Sequence, residues 1–528
     1  MLPRLGGVTE TPAIATAPRP RTIRPQHVAP VALSAVAAAT GGVLVGSDDA
    51  VTGVTLASLD VRPGDLFVGI RGAKQHGAAF SADAAERGAI AVLTDSEGAA
   101  YAQAAGLPAI VVASPREVLG AASALVYAFE EGHPALFAVT GTNGKTSTVH
   151  LLEGIAAALG ETTGLSSTAE RRIAGSVEVS GLTTPEASDM HALIAAMREQ
   201  SVTVAAIEVS AQALSRHRVD GIRFDVAGFT NLSHDHFDDY GDFEVYFAQK
   251  ALLFTPERAR TGVVSLDSKW GAQIVARAGV PTTTIASLPD VGADWRVTTL
   301  EVAREGTRFR LVGPAGESLE TAIPAIGAHH AANAGLAIVM LVAGGIPFPR
   351  IAAAIGGGRE LPPLPGRTEN VAGPGAPAVF VDFGHSPDAF AKTLDAVREV
   401  TAGKVIMVFG ADGDRDKTKR ADMAAEAVRR SDILVITDHH PRFEDPAAIR
   451  KALVLGAIEA RPDAEIHVVS PPPRAIRVAV SLAGPDDSIL WAGPGHQNYR
   501  EIEGVKTAYS AREEARQALE EHGYMAKR

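Results

Sequence analysis

The run Thr140-Gly-Thr-Asn-Gly-Lys-Thr-Ser-Thr148 carries the clearest chemistry in the chain. It follows the apolar stretch Leu136–Val139 and opens a helical run expected from about Ser147. Strand, glycine-rich loop and helix together form a phosphate cradle. Gly141 and Gly144 let the backbone turn its N–H groups inward, with Thr142, Asn143 and Ser147 completing the loop. The helix N-terminus adds partial positive charge. Lys145 would reach the β- and γ-phosphates of ATP, and Thr146 would ligate Mg2+. An ordinary glycine turn would explain the bend but not the Lys-Thr pair. Such a loop needs a carboxylate on a neighbouring strand end. Val202-Thr-Val-Ala-Ala-Ile-Glu208 supplies one, because its apolar run reads as a buried parallel strand whose last residue faces the ligand edge. His234, Asp235, His236 and Asp238 form a second cluster. On their own they fit either an oxygen/nitrogen metal site or a polar loop.

These residues need a frame that brings strand ends together. Short β-like runs alternate with alanine-rich helical runs: Asp65–Ile70, Ile90–Thr94, Ala109–Val112, Val405–Phe409 and Ile433–Thr437 against Ser147–Leu159, Asp189–Arg198 and Lys419–Arg430. That alternation predicts an α/β chain of parallel sheets covered by helices. At roughly 150 residues per domain, 528 residues suggest about three. Breaks fall near Glu131–Pro134 and in the proline-rich stretch Glu360–Gly366. The expected division is a disordered tail over 1–27 and domains over 28–130, 131–361 and 362–528.

Composition narrows the function. A net charge of −12 excludes a general nucleic-acid footprint. The absence of cysteine excludes thiolate nucleophiles, disulfides and Cys-zinc sites, and fits a reducing cytoplasm. The apolar stretch Val28–Gly46 is interrupted by Pro30 and by Gly41-Gly42, so it predicts a short helix at Leu33–Ala39 rather than a membrane anchor.

The order of the motifs resembles the Mur ligase family over roughly residues 50–505. The phosphate loop is followed by Leu182-Thr-Thr-Pro-Glu186, Glu208-Val-Ser-Ala-Gln-Ala-Leu214, Phe229–Asp238 and Ala248-Gln-Lys250. Then come Gly327–Asn333, Pro365–Glu369, Val381–Asp388, Phe409–Asp416, Asp438–Arg442 and Ala492–Gln497. The resemblance implies an N-terminal UDP-binding α/β domain, a central P-loop ATPase-like domain and a C-terminal Rossmann-like α/β domain. It implies a monomeric, cytoplasmic, ATP- and Mg2+-dependent ligase that activates a substrate carboxylate as an acyl phosphate for attack by an amine. Ser58, in Ser58–Phe67, points to the branch that adds the third residue of the peptidoglycan stem peptide to a UDP-MurNAc-dipeptide. Lys145 is implied as catalytic, Thr146, Glu208, His236 and a carbamylated Lys250 as metal ligands, and Asn333, Arg367 and His385 as ATP contacts. Thr183, Thr184, Ser210, Arg216 and Arg218 would meet the UDP-substrate. A folylpolyglutamate-synthetase-like ligase and a non-catalytic nucleotide-binding homologue stay open as alternatives.

The residues implied to take the free amino acid are Arg415, His439, His440, Arg442, Gly493 and Gln497. At this site the sequence departs from relatives, which carry Asp-Asn at His439-His440 and a glutamate at Gln497; Pro494 departs as well. His330 and Tyr240 are further departures. Arg442 offers a planar cation suited to a carboxylate. Gln497 removes a negative charge and the two histidines add donors. The residues therefore predict a pocket shifted toward a substrate with a distal carboxylate and away from demanding a second ammonium, meso-diaminopimelate first. Lysine, ornithine, diaminobutyrate and neutral amino acids remain open, as does the first residue of the stem peptide.

Overall fold

Leu136, Phe137, Ala138 and Val139 are 0–1% exposed, so the strand ahead of the phosphate loop is buried on both faces. It sits in the middle of an eleven-stranded sheet of the computed structural model, which describes residues 22–233 and 237–527. Seven strands run parallel, in the order Thr163–Ser166, Val204–Glu208, Ala135–Thr140, Phe224–Phe229, Ala259–Ser265, Thr282–Ala286 and Trp295–Ala303. Antiparallel strands extend both edges. The chain builds outward on one side of Ala135–Thr140 through Val204–Glu208, then crosses to the other side at Phe224–Phe229. Ligands bind at such a switch point, outside the C-terminal ends of the strands. One face of the sheet is covered by helices Lys145–Ala158 and Ala328–Ala343, the other by Ala187–Glu199 and Phe243–Ala251.

A smaller sheet precedes it, ordered Val43–Val45, Ala109–Val111, Ala91–Thr94, Asp65–Gly69 and Gly53–Thr55, all parallel except the first. Its core takes in Ala187, Ala192 and Ala195 of helix Ala187–Glu199. The expected break near residue 131 thus separates two sheets, yet among the described residues both belong to one compact unit that ends at Leu364. The second unit begins at Pro365. Its six-stranded sheet runs Glu369–Asn370, Ala378–Asp382, Ser488–Ala492, Val405–Phe409, Ile433–Ile436 and Glu465–Val468, parallel after the first pair.

One expectation needs correction. Residues 22–27 do not belong to a disordered tail. Arg24 donates to both oxygens of Asp65 at 2.8 and 2.7 Å, and the Gln26 and His27 amides donate to Glu199. The Arg24 and Asp65 side chains are only 5% and 3% exposed, so this pair anchors the segment. Leu33–Thr40 is the short helix expected there, and no helix among the described residues is long and apolar enough to cross a membrane.

Candidate active site

The phosphate loop is held from below and from the side. Gly141 and Gly144 have φ of 147° and 86°, and a Cβ on either would collide with Thr230 or Asn333. Asn231 fixes the loop on both sides: its side-chain oxygen accepts from the Asn143 N–H at 3.0 Å and its amide donates to the Asn143 carbonyl at 3.0 Å. Thr230 donates to the same carbonyl at 2.7 Å, and Asn143 donates to the Ser233 hydroxyl at 3.1 Å. Sequence reasoning did not single out Thr230, Asn231 or Ser233, although all three lie inside the Phe229–Asp238 motif. Asn333, expected near ATP, stands against Gly144 on the buried face of helix Ala328–Ala343. His330, on the same helix, is 3% exposed.

Beside the loop, Glu208 ends its strand and is 2% exposed. Its Oε2 accepts from the Thr146 hydroxyl at 2.9 Å, from the Thr168 N–H at 2.9 Å and from the Thr168 hydroxyl at 3.0 Å. Lys145 Nζ lies 4.0 Å from the other carboxylate oxygen and donates to the Thr142 carbonyl at 2.8 Å. The Thr168 hydroxyl also accepts from the Thr183 hydroxyl at 3.0 Å, while Thr184 donates to the Glu208 carbonyl at 2.8 Å and accepts from the Ser210 N–H at 3.1 Å. The structure thus links Lys145, Thr146, Thr183, Thr184, Glu208 and Ser210 in one network. Thr168, which lies in none of the sequence motifs, joins them just past the strand Thr163–Ser166.

Lys250 is 1% exposed on helix Phe243–Ala251. Its Nζ donates to the Gly141 carbonyl at 2.7 Å and lies 4.3 Å from the centre of the Tyr246 ring. Tyr240 stacks on Tyr246 at 5.3 Å and shares a hydrogen bond with Ser215 at 3.1 Å. The departure at Tyr240 therefore props the wall behind Lys250. His236 lies outside the described residues, as do His234 and Asp235.

Of the residues expected to meet the UDP-substrate, Arg218 donates to Glu186 at 3.0 Å and Arg216 pairs with Asp239 at 3.3 Å. Ser210 caps helix Ala211–Ser215. Ser58 lies in the one-turn helix Ser58–Asp60. In the second unit, Arg367 lies over the Phe383 ring at 4.4 Å and His385 Nδ1 donates to the Phe383 carbonyl at 2.9 Å.

The second unit also gathers His439, His440, Arg442, Gly493 and Gln497. His440 Nδ1 accepts from the Glu501 N–H at 3.0 Å, which leaves its Nε2 to donate to the Gln497 side-chain oxygen at 2.9 Å. Burial, and then the neighbouring His439, push His440 down to about 3, so it adds no positive charge at neutral pH. Arg442 has φ 51°, held by hydrogen bonds to the hairpin at Glu501 and Glu503. Its guanidinium donates to the Gly413 carbonyl at 2.7 Å and lies 3.6 Å from both Asp412 and Glu501. Arg415 is exposed on the neighbouring loop. Asp412, which sequence reasoning did not single out, is within 2.8 Å of His439.

Residues 50–127 match the model of the Mur ligase family catalytic domain, 139–341 the Mur ligase middle domain and 366–495 the Mur ligase glutamate ligase domain. A UDP-N-acetylmuramyl-tripeptide synthetase of Leifsonia xyli subsp. xyli is 54% identical over 514 residues, covering 97% of this chain and all of the relative. A UDP-N-acetylmuramoyl-L-alanyl-D-glutamate–2,6-diaminopimelate ligase of Streptomyces avermitilis is 42% identical, covering 94% of this chain and 98% of the relative. A solved structure of a ligase with that same name superposes with a TM-score of 0.64 at 23% identity, over 94% of this chain and 100% of the other, which is a likeness of fold. With a phosphate loop at its switch point and family matches running from residue 50 to 495, this chain belongs to the Mur ligases and is an ATP-dependent ligase.

Proposed function

We propose that this enzyme joins a free diamino acid, meso-diaminopimelate first, to a UDP-MurNAc-dipeptide, making the third residue of the peptidoglycan stem peptide. The observation that carries the reading is the network joining Lys145, Thr146 and Glu208 to Thr183, Thr184 and Ser210. It joins the groups expected to bind phosphate to those expected to meet the UDP-substrate. A carboxylate oxygen of the dipeptide attacks the γ-phosphorus of ATP, and ADP leaves. The amine then attacks the acyl carbon, and phosphate departs with that oxygen. Lys145 and the loop N–H groups neutralise charge growing on the γ-phosphate. The oxygen donors Thr146 and Glu208 suit a hard cation. With His236 and a carbamylated Lys250 they would hold Mg2+, which supplies further neutralisation of the phosphates. Carbamylation would turn the Lys250 ammonium into an anion with two oxygens. We assign 28–130 to the UDP end, 131–361 to ATP and 362–528 to the amino acid, in a monomer working in the cytoplasm. A folylpolyglutamate-like ligase leaves the sheet within residues 43–111 without a role.

The test measures ADP and phosphate release with UDP-MurNAc-L-Ala-D-Glu, and with its glycine and serine variants, against a panel of amino acids. Release of both products in step with tripeptide formation is expected. Turnover of a folate-glutamate pair with none of the muramoyl peptides would replace the reading.

A further inference from the structure

In the amino-acid pocket, His439 Nδ1 sits 2.8 Å from Asp412 Oδ1. A carboxylate only accepts, so Nδ1 carries the proton and Nε2 of the neutral ring is an acceptor. That Nε2 is buried and has no hydrogen-bond partner. A Cβ on Gly493 would lie 3.7 Å from it, so the glycine leaves room at that edge of the ring. Asp412 keeps 29% of its side chain exposed, and its second oxygen is 3.6 Å from Arg442, beyond hydrogen-bond length. Burial alone would raise its titration. The hydrogen bond from His439 and the nearby Arg442 guanidinium outweigh burial and hold Asp412 well below the usual carboxylate range.

The charges in contact range of one another in this pocket are two carboxylates, Asp412 and Glu501, and one guanidinium, Arg442, while Arg415 is exposed on the loop that carries Asp412. The next cation, Arg500, is directed at the His439 carbonyl and lies over the Tyr509 ring at 5.7 Å. Asp438 is paired with Arg450, and Glu444 with Arg420 and Lys417. The groups left with accepting capacity are thus the Asp412 and Glu501 carboxylates and His439 Nε2, of which Asp412 and His439 lie side by side at 2.8 Å. An ammonium, with three donors and no acceptor, complements both. A carboxylate complements neither. Asp412 thus runs against the expectation that this pocket does not demand a second ammonium.

We propose that Asp412 and His439 together seat the distal ammonium of the incoming amino acid, making Asp412 a specificity-determining residue that selects a diamino acid. The proposal rests on the reading that this unit binds the third residue of the stem peptide.

The test compares kcat/KM for each diamino acid with that for the analogue lacking only its second ammonium, 2-aminopimelate for meso-diaminopimelate and norleucine for lysine. A charge-assisted contact of this kind predicts that the wild-type enzyme favours its best diamino acid over the matched analogue roughly 10- to 150-fold. Asp412→Asn should bring that ratio close to one, and Asp412→Glu should keep part of it. Equal use of the matched analogue by the wild-type enzyme would overturn the proposal, and that comparison needs no variant. So would Asp412→Asn lowering both substrates alike. Trapping with hydroxylamine separates this from failure of the parent reading. The wild-type enzyme supplied with ATP and UDP-MurNAc-dipeptide, without amino acid, should yield the hydroxamate. A hydroxamate without diamino preference removes only the role of Asp412. Neither hydroxamate nor tripeptide removes the parent reading.

Discussion

Around the phosphate loop, Glu208 accepts three hydrogen bonds, Lys250 donates to a loop carbonyl, and the side chain of Asn231 clasps Asn143 on two sides. In the amino-acid pocket, His439 keeps a buried nitrogen without a partner and Arg442 stands 3.6 Å from two carboxylates rather than in contact with either. In the first region, buried side chains hold the loop through its own backbone groups, the Asn143 N–H and carbonyl and the Gly141 carbonyl. The second is a set of exchangeable side chains, in which an acid from the Phe409–Asp416 loop faces a histidine from the strand end beyond Ile436. Phosphate chemistry is common to every substrate, so its geometry is rigid. Choice of amino acid is a difference between affinities, and side-chain charges can move it without touching the backbone.

Substitutions separate the two regions. Lys145→Ala should have the largest effect, a loss of roughly a thousandfold in kcat, or about 4 kcal/mol of barrier, with every amino acid in the panel. Cooperative thermal unfolding should persist. Turnover near wild type in a folded variant would remove the phosphate role and erase the contrast. Lys250→Ala should come next, with activity down about a hundredfold and partly restored by added formate or acetate that replaces the carbamate oxygens. A free Lys250 amine in the mass of an active enzyme kept under bicarbonate would contradict the carbamate.

Arg442→Ala is expected to raise KM for the amino acid about tenfold while KM for ATP stays within about twofold, because a charged hydrogen bond is worth about 1.5–3 kcal/mol. Equal rises for both would make Arg442 a structural residue and blur the two regions. The smallest effect concerns Glu444, which braces this pocket through Arg420 at 2.8 Å. The hydrogen bonds from Arg420 are the largest influence, and they hold Glu444 down to about 2, below its ordinary 4.5. A depressed carboxylate contributes stability above 4.5 that is lost as pH falls through about 2. Glu444→Gln should therefore cost about 1–3 kcal/mol at pH 7 in denaturant melts, with the gap narrowing below pH 4.5. A gap independent of pH would assign the cost to packing.

Legibility followed the same division. Strand Val405–Phe409 and helix Lys419–Arg430 have the bounds that apolar runs and helical periodicity predict. The placement of Lys145, Thr146 and Glu208 in one network was readable because a loop and an adjacent parallel strand end meet by topology. Asp412 was not, since Asp412-Gly-Asp414 reads as a polar turn and its partner His439 is 27 residues away. Arg24 was missed for a similar reason: a Pro/Arg/Thr-rich segment looks unstructured until Asp65, 41 residues on, supplies its counter-charge. Lys250 illustrates the reverse. Motif order picked it out, while helical spacing alone would leave it a surface lysine rather than one that is 1% exposed.

Carboxylate activation by ATP at the phosphate loop is tested most directly by oxygen transfer. UDP-MurNAc-dipeptide labelled with 18O in its reacting carboxylate is turned over with ATP and a diamino acid, and the released phosphate is weighed. Attack of that carboxylate on the γ-phosphorus predicts one 18O in each phosphate formed from a labelled oxygen. Tripeptide formed with unlabelled phosphate would contradict the acyl phosphate, and with it the roles of Lys145, Thr146 and Glu208 in forming it.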